Sequence, residues 1–282
     1  MVRSSEWFEL ESNKQNILLV AGEWTGLKAL QFQNGAFTDI GSQLGIDNYN
    51  GWWFSSSKLD LDNDGDQDLI LGNLGHNYKF NASQQEPLKA YIHDFDKNGQ
   101  NDIILSYYQY GVEYPVRGRN CTMQQIPGIQ RQFPNYSSFA NADIKTVYGE
   151  QLSQARQLNA NTFSSVALIN SSSGLSIKAL PVSAQFSAIK SICSKDINED
   201  GNIDLVIAGN HYYSEAETPR ADASYGLVLY GNGKGGFRTV GHSKSGLLLK
   251  GETQSLEFIN LKDKVCLLAG INKESVQAYS LD

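Results

Sequence analysis

The 282-residue chain has only three cysteines, Cys121, Cys193 and Cys266, which permit at most one internal disulfide and exclude a cystine-built framework. Cys193 and Cys266 lie in apolar, strand-like runs, where a small buried hydrophobe is expected rather than a bridge. Proline is scarce at 6 while glycine stands at 26, a balance that suits many short strands and tight turns. No apolar run approaches the length of a membrane-crossing helix, and Met1 is followed by polar and charged residues. Neither direct membrane insertion nor a secretion leader is therefore expected in these residues. The net charge of −7 comes without a basic stripe, which argues against nucleic acid as a partner. Catalytic signatures are missing too: there is no HExxH, GxSxG, GxxxxGK[ST] or CxxC.

What the chain does contain is a dense run of acid. In Lys58 to Asn73, KLDLDNDGDQDLILGN, aspartates occupy alternate positions at Asp60, Asp62, Asp64, Asp66 and Asp68, Gly65 sits among them, and Leu69-Ile70-Leu71 follows. Carboxylates this close repel unless a cation lies among them. A hard cation with flexible oxygen coordination, Ca²⁺, suits such a loop, and the glycine supplies the sharp turn. By analogy with other loops of this type, Asp60, Asp62, Asp64 and Asp68 are side-chain ligands and Asp66 offers its backbone carbonyl. An EF-hand would need a glutamate where Leu71 stands, so the loop is expected to join two strands.

The pattern recurs twice. Asp94, Asp96, Asn98, Gln100 and Asp102 precede Ile103-Ile104-Leu105, and Asp196, Asn198, Asp200, Asn202 and Asp204 precede Leu205 to Asn210. In both, glycine keeps its offset, at Gly99 and Gly201. Three matches, each running into an apolar strand, predict two or three structural Ca²⁺ sites at strand turns. Asn98 is a neutral donor, so the second site is expected to bind more weakly.

DLDNDGDQDLILGN and DINEDGNIDLVIAGN resemble the FG-GAP or VCBS repeats that build β-propeller blades in integrin α-subunits and bacterial envelope proteins, and GNGKGGF from Gly231 resembles the turn between a blade's outer strands. From about Trp52 onward the order of pieces resembles the closing part of large bacterial VCBS-repeat proteins. The resemblance implies an all-β fold, a β-propeller of four-stranded antiparallel blades. About five blades are visible, roughly at 6–41, 52–116, 159–182 in part, 184–240 and 251–282, with a small helical insertion at 119–158. Either the propeller is small or the remaining repeats belong to a longer parent chain.

Taken in order, the first blade has a decayed loop, since Lys14 replaces the glycine. The short spacing from Asp60 to Asp94 places both of those loops in one blade, with Trp52–Leu61 and Asp68–Leu74 as the inner pair and Pro87–Phe95 and Asp102–Tyr110 as the outer pair. Ser137 to Gln157 has apolar spacings of three and four, the mark of an amphipathic helix or a broken helical pair. The last blade has Ile259 and Leu261 where aspartates would stand, which rules out metal there.

For function, the aspartates are contiguous, whereas glycoside cleavage needs two carboxylates held apart across a sugar. His76 and His211 each follow a Gly-Asn at a strand end and are the most suggestive histidines. Aromatic clusters offer rings for stacking on sugar or anchoring a partner, at Trp52, Trp53, Tyr108 and Tyr212. The reading that results is a non-enzymatic calcium-binding module serving adhesion, recognition or assembly, with a carbohydrate-active enzyme or glycan-binding module as the alternative. Millimolar Ca²⁺ points to an extracellular, cell-surface or periplasmic setting.

Overall fold

The computed structural model describes residues 1–213, 217–262 and 264–281. It is mostly β, with several four-stranded antiparallel sheets and a few short helices. The chain divides into two compact units, one of residues 1–79 and 163–282, the other of residues 80–162.

The larger unit opens with a meander of β1 (Val2–Leu10), β2 (Gln15–Thr25), β3 (Lys28–Gln33) and β4 (Ala36–Asp39), to which β5 (Gly51–Trp52) adds on β2. Alternation explains the sheet. Phe8, Leu10, Ile17, Leu19 and Ala29 all turn to one buried side, while Trp7, Phe32 and Phe37 stay on the exposed one. Between β1 and β2 the chain makes a tight turn in which Asn13 and Lys14 both donate to the Leu10 carbonyl.

Next come β6 (Ser55–Leu59) and β7 (Asp68–Gly72), the two strands around the first aspartate loop. The chain then leaves for the second unit. There β8 (Leu88–His93), β9 (Asp102–Gln109) and β10 (Val112–Pro115) precede four short helices, α1 (Arg119–Gln125), α2 (Ile129–Gln132), α3 (Tyr136–Ala140) and α4 (Ile144–Tyr148). The strand β11 (Arg156–Ala160) closes a sheet of order β10-β9-β8-β11. Of the two helical expectations for Ser137 to Gln157, the broken one holds as far as Ser153, while Arg156 and Gln157 belong to β11. Asn135 and Asp143 cap α3 and α4 by accepting the N–H groups of Ser138 and Thr146, at 2.9 and 2.7 Å. Phe139, Ala142, Ile144, Val147 and Tyr148 face one core with Tyr91, Phe95 and Ile104.

Back in the larger unit, β12 (Val166–Ile169) and β13 (Ser176–Ala179) complete the sheet begun before the excursion, in the order β13-β12-β7-β6. This corrects the blade expected at 52–116. The partner of β7 is β12, with Leu71 opposite Val166 and Leu69 opposite Leu168. All four residues of β12 are buried, and so are all five of β7. Strands apolar on both faces belong inside a packed stack. By contrast β8 presents Lys89 on one face and pairs with β9 and β11. The segment expected as a partial blade at 159–182 is therefore the outer half of the first loop's own sheet, and the insertion begins near residue 80 rather than 119.

Two more sheets follow: β14 (Ile189–Lys195), β15 (Asp204–Gly209), β16 (Leu227–Gly231) and β17 (Phe237–Val240), then the three-stranded β18 (Thr253–Leu261), β19 (Lys264–Ile271) and β20 (Gln277–Leu281). Three apolar cores lie between successive sheets of this unit: Leu19 with Leu71 and Leu168, Ile70 with Ile189 and Leu205, and Val206 with Leu256 and Leu267. The first strands β1, β6, β14 and β18 follow one another side by side. Closure into a ring is not seen among the described residues.

The Gly-Asn that ends the apolar strands is a joint between neighbours. A Cβ on Gly72 would meet the Ile189 carbonyl oxygen at 2.3 Å, and one on Gly209 would meet that of Ala188 at 1.9 Å. Buried Asn210 donates to the Ser224 and Gly251 carbonyls at 2.9 and 2.8 Å, tying its strand end to the start of the last sheet. Gly209→Ala is expected to lower stability by roughly 2 kcal/mol or more, because backbone must move. Gly241→Ala, which meets nothing within 4 Å, should cost little. Equal urea midpoints for the two variants would contradict this account.

Candidate functional site

The three aspartate loops share one backbone. Their leading carboxylates cap the turn: Asp60 accepts N–H bonds from Asn63 and Gly65 at 2.8 and 3.1 Å, Asp94 from Asn98 and Gly99 at 3.0 and 2.8 Å, and Asp196 from Asp200 and Gly201 at 3.1 and 2.9 Å. Left-handed φ values recur at matching positions, 61° at Asn63, 60° at Lys97 and 58° at Glu199, and at the glycines that follow, 91°, 88° and 84°. The last aspartate of each loop reaches back to its start, accepting the N–H of Leu61, Phe95 or Ile197 at 2.9, 3.0 and 2.9 Å. That closure turns the carboxylates inward.

In two loops the result is a carboxylate triad. One oxygen each of Asp60, Asp62 and Asp68 lie within 4.8 Å of one another, and so do oxygens of Asp94, Asp96 and Asp102. Either triad could hold a metal ion. Asp64 and Asn98 each accept the N–H two residues on, from Asp66 at 3.1 Å and Gln100 at 2.8 Å. The third loop is different because amides replace acids. Asn198 and Asn202 both donate to the Asp200 carboxylate, at 3.0 and 2.9 Å. Its charge is thereby partly satisfied from within.

The first loop carries an electrostatic deficit. Burial pushes Asp66 up to about 7, with Asp64, Asp68, Glu11 and Asp62 adding repulsion. Burial likewise raises Asp68 to about 6, and Asp62 is raised by burial and its acidic neighbours. Both side-chain oxygens of Asp66 and the Oδ1 of Asp62 are shielded from solvent without a hydrogen-bond donor. Buried acceptors left this way are costly. The donor set is all oxygen and the deficit is one of positive charge, so a cation fits. Nearby, Lys14 of the β1–β2 turn ion-pairs with Glu11 and feels the Asp66 charge.

The loops are also wired to the next hairpin. Asp68 Oδ1 accepts the N–H of Asn170 at 2.7 Å, and Asp204 Oδ1 that of Gly231 at 2.8 Å. Asn170 in turn accepts the Glu11 N–H at 3.0 Å and donates to the carbonyls of Glu9 and Gln67 at 2.8 and 3.2 Å. Asn170 has no local signal in the sequence, since its partners are brought together only by folding. The first and third loops meet directly, Asn63 donating to Asn202 at 2.9 Å, with the Gly231–Phe237 turn against them through Gly235 and the Leu61 carbonyl at 3.1 Å.

Of the four aromatic candidates, the two tryptophans need correction. Trp52 and Trp53 are 8% and 0% exposed, so neither ring is available to stack on a ligand. Trp53 donates its indole N–H to the Tyr49 carbonyl at 3.1 Å, and Trp52 lies edge-on against Trp24 and Phe163. The chain breaks between β5 and β6 there, which lets both rings turn inward where strand alternation would expose one. Tyr108 is held in a network, its hydroxyl accepting from Lys89 at 3.0 Å and donating to Glu113 at 3.1 Å. Tyr212 lies under the Arg220 guanidinium at 5.1 Å. His76 shares a 2.7 Å hydrogen bond with Ser164, whereas His211 packs on Phe54 with ring centroids 5.4 Å apart. None of the three cysteines forms a disulfide.

No model of a known protein family matches the chain, and no curated protein matches its sequence.

Proposed function

We propose that this chain is a calcium-stabilised β-propeller module of the FG-GAP or VCBS type, belonging to an exported or cell-envelope protein and serving adhesion, recognition or assembly without catalysis of its own. The observation that carries the reading is the donor-less, buried set of oxygens on Asp62 and Asp66 beside the Asp60–Asp62–Asp68 triad. Calcium suits it best among common ions, because it accepts many oxygen ligands at flexible geometry while magnesium demands a tight octahedron. Binding there cancels carboxylate repulsion and so becomes folding free energy. Further repeats of a longer parent chain are the partners this reading implies. An extracellular, cell-surface or periplasmic compartment supplies calcium at the level such loops need. A glycan-binding role, the second reading, finds its support in a polar cavity rather than in the aromatic clusters.

The test is a pair of melting curves. Calcium at a hundred times its dissociation constant adds about 2.7 kcal/mol, which for a chain of this size raises the melting temperature by on the order of 5 °C over the value in EGTA. The gain has a predicted pH dependence. Asp66 and Asp68 have raised values in the folded, metal-free state, so that state holds protons the unfolded chain has already lost between the ordinary carboxylate range and about 7. Stability in EGTA therefore falls as pH rises through this window, and calcium restores more at pH 7.5 than at pH 5. Identical melting with and without chelator at pH 7.5 would refute the proposal.

A further inference from the structure

The beginnings of the four first strands in the larger unit converge on a cavity of about 240 Å³. Arg3 of β1, Phe54 just ahead of β6, Lys190 of β14 and Gln254 of β18 each contribute a wall. His211 and Tyr213 line it from the end of the β15 sheet. This is a place where successive repeats each supply one side chain, and none of the aspartate loops takes part in it.

Its chemistry is unusual for a surface hollow. Glu252 is 3% exposed and Lys190 is nearly as deep, and the two form an ion pair. The Glu252 carboxylate is fully engaged: it also accepts from Asn272 at 2.7 Å and from the Tyr212 N–H at 3.3 Å. Arg3 is likewise matched, bonding Glu23 through Nε and Nη2 at 2.6 and 2.5 Å. Burial, with Lys190 close by, depresses His211 to about 4, so its ring is neutral at pH 7, and its buried Nδ1 has no partner among the described residues. The wall charges therefore cancel in pairs, while hydrogen-bonding capacity remains on the Arg3 Nη1, the other Lys190 N–H bonds, the Gln254 amide and the His211 ring. Phe54 lies beneath the Lys190 ammonium at 5.5 Å. Tyr213, 65% exposed, stands at the mouth with its hydroxyl accepting from Lys273 at 2.9 Å and still free to donate.

We infer that this cavity binds the ring of a neutral sugar. An anion or a zwitterion would have to compete with ion pairs that are already closed, the half-exposed Arg3–Glu23 pair and the buried Lys190–Glu252 pair, and breaking the latter carries a large desolvation cost. A polyhydroxylated ring need not, because each hydroxyl both donates and accepts and finds charge-polarised groups that bond more strongly than neutral ones. The volume lies below that of pockets for drug-sized ligands, which favours a single pyranose over a longer chain entering whole. The inference rests on reading the chain as a recognition module but not on the cation.

The experiment titrates the full chain, in calcium, with glucose, galactose, mannose and N-acetylglucosamine, by saturation-transfer NMR and calorimetry, with glycine and inorganic phosphate as charged probes. At least one sugar should bind, and both Gln254→Ala and Tyr213→Ala should weaken it about tenfold, the loss of one hydrogen bond, with melting temperature unchanged. Silence from all four sugars at tens of millimolar, an affinity in both variants equal to that of the parent chain, or tighter binding of glycine or phosphate than of any sugar would overturn it. Sugar binding without a calcium-dependent melting shift would sink the calcium reading and leave this one standing; the reverse pattern would sink this one alone.

Discussion

Asp68→Ala is expected to unfold at markedly lower urea than the parent and to lose most of the calcium-dependent rise in melting temperature. The carboxylate is 1% exposed and receives the N–H groups of both Leu61 and Asn170. Alanine would strand two backbone donors, at about 3 kcal/mol together, before any ion is considered. It would also take one member out of the triad. Asp68→Asn separates these effects: its amide oxygen can still accept, but it brings no charge, so it should keep more stability in EGTA than alanine does while responding as weakly to calcium. Urea midpoints in EGTA and in calcium for the three proteins settle the matter. An alanine variant that behaves like the parent in both buffers would remove the closing role assigned to this residue.

The second large effect is expected at the Lys190–Glu252 pair, whose side chains are 11% and 3% exposed. Burial works to raise Glu252, but hydrogen bonds from Lys190 and Asn272 outweigh it and hold the carboxyl below its ordinary value. Its contribution to stability is therefore present above the usual carboxylate range and is lost on acidification. Lys190→Met leaves that carboxylate without its countercharge, a change that costs about 3–5 kcal/mol for a buried pair. Adding Glu252→Gln removes the stranded charge and should recover much of the loss. Denaturant unfolding of the four members of the cycle gives the coupling directly. Losses that simply add would mean the two groups act independently.

The parts of this fold readable in the sequence are those set by local chemistry. The aspartate loops are built on contacts within a few residues, Asp60 to Gly65 or Asp196 to Gly201, so composition and spacing were enough to place them between strands. The helical turns of α3 and α4 were legible from their apolar spacing of three and four, though not their caps Asn135 and Asp143. Strand partnership was not. Spacing put the Asp60 and Asp94 hairpins side by side, yet β7 pairs with β12, because an edge chooses its neighbour by which faces must be buried rather than by proximity in the chain. The tryptophans failed similarly: alternation assumes a continuous strand, and the break after Trp52 voids it. Nothing local marks Asn170, Lys190 or Glu252, whose partners come from distant sheets.

The sheet that holds the first loop is interrupted after β7 and resumed only at β12, so Leu71 must wait for Val166. During synthesis the apolar edge Leu69-Ile70-Leu71 is made early, and the strand that covers it emerges only after the whole of residues 80–162 has been translated. An uncovered edge of this kind can template pairing with another chain, and closing a long loop is slow. Residues 80–162 have their own core and can condense in the interval, which shortens the effective tether between the waiting strand and its mate. The chain's threading thus lets the unit encoded in the middle become compact before the strands of the other are all present.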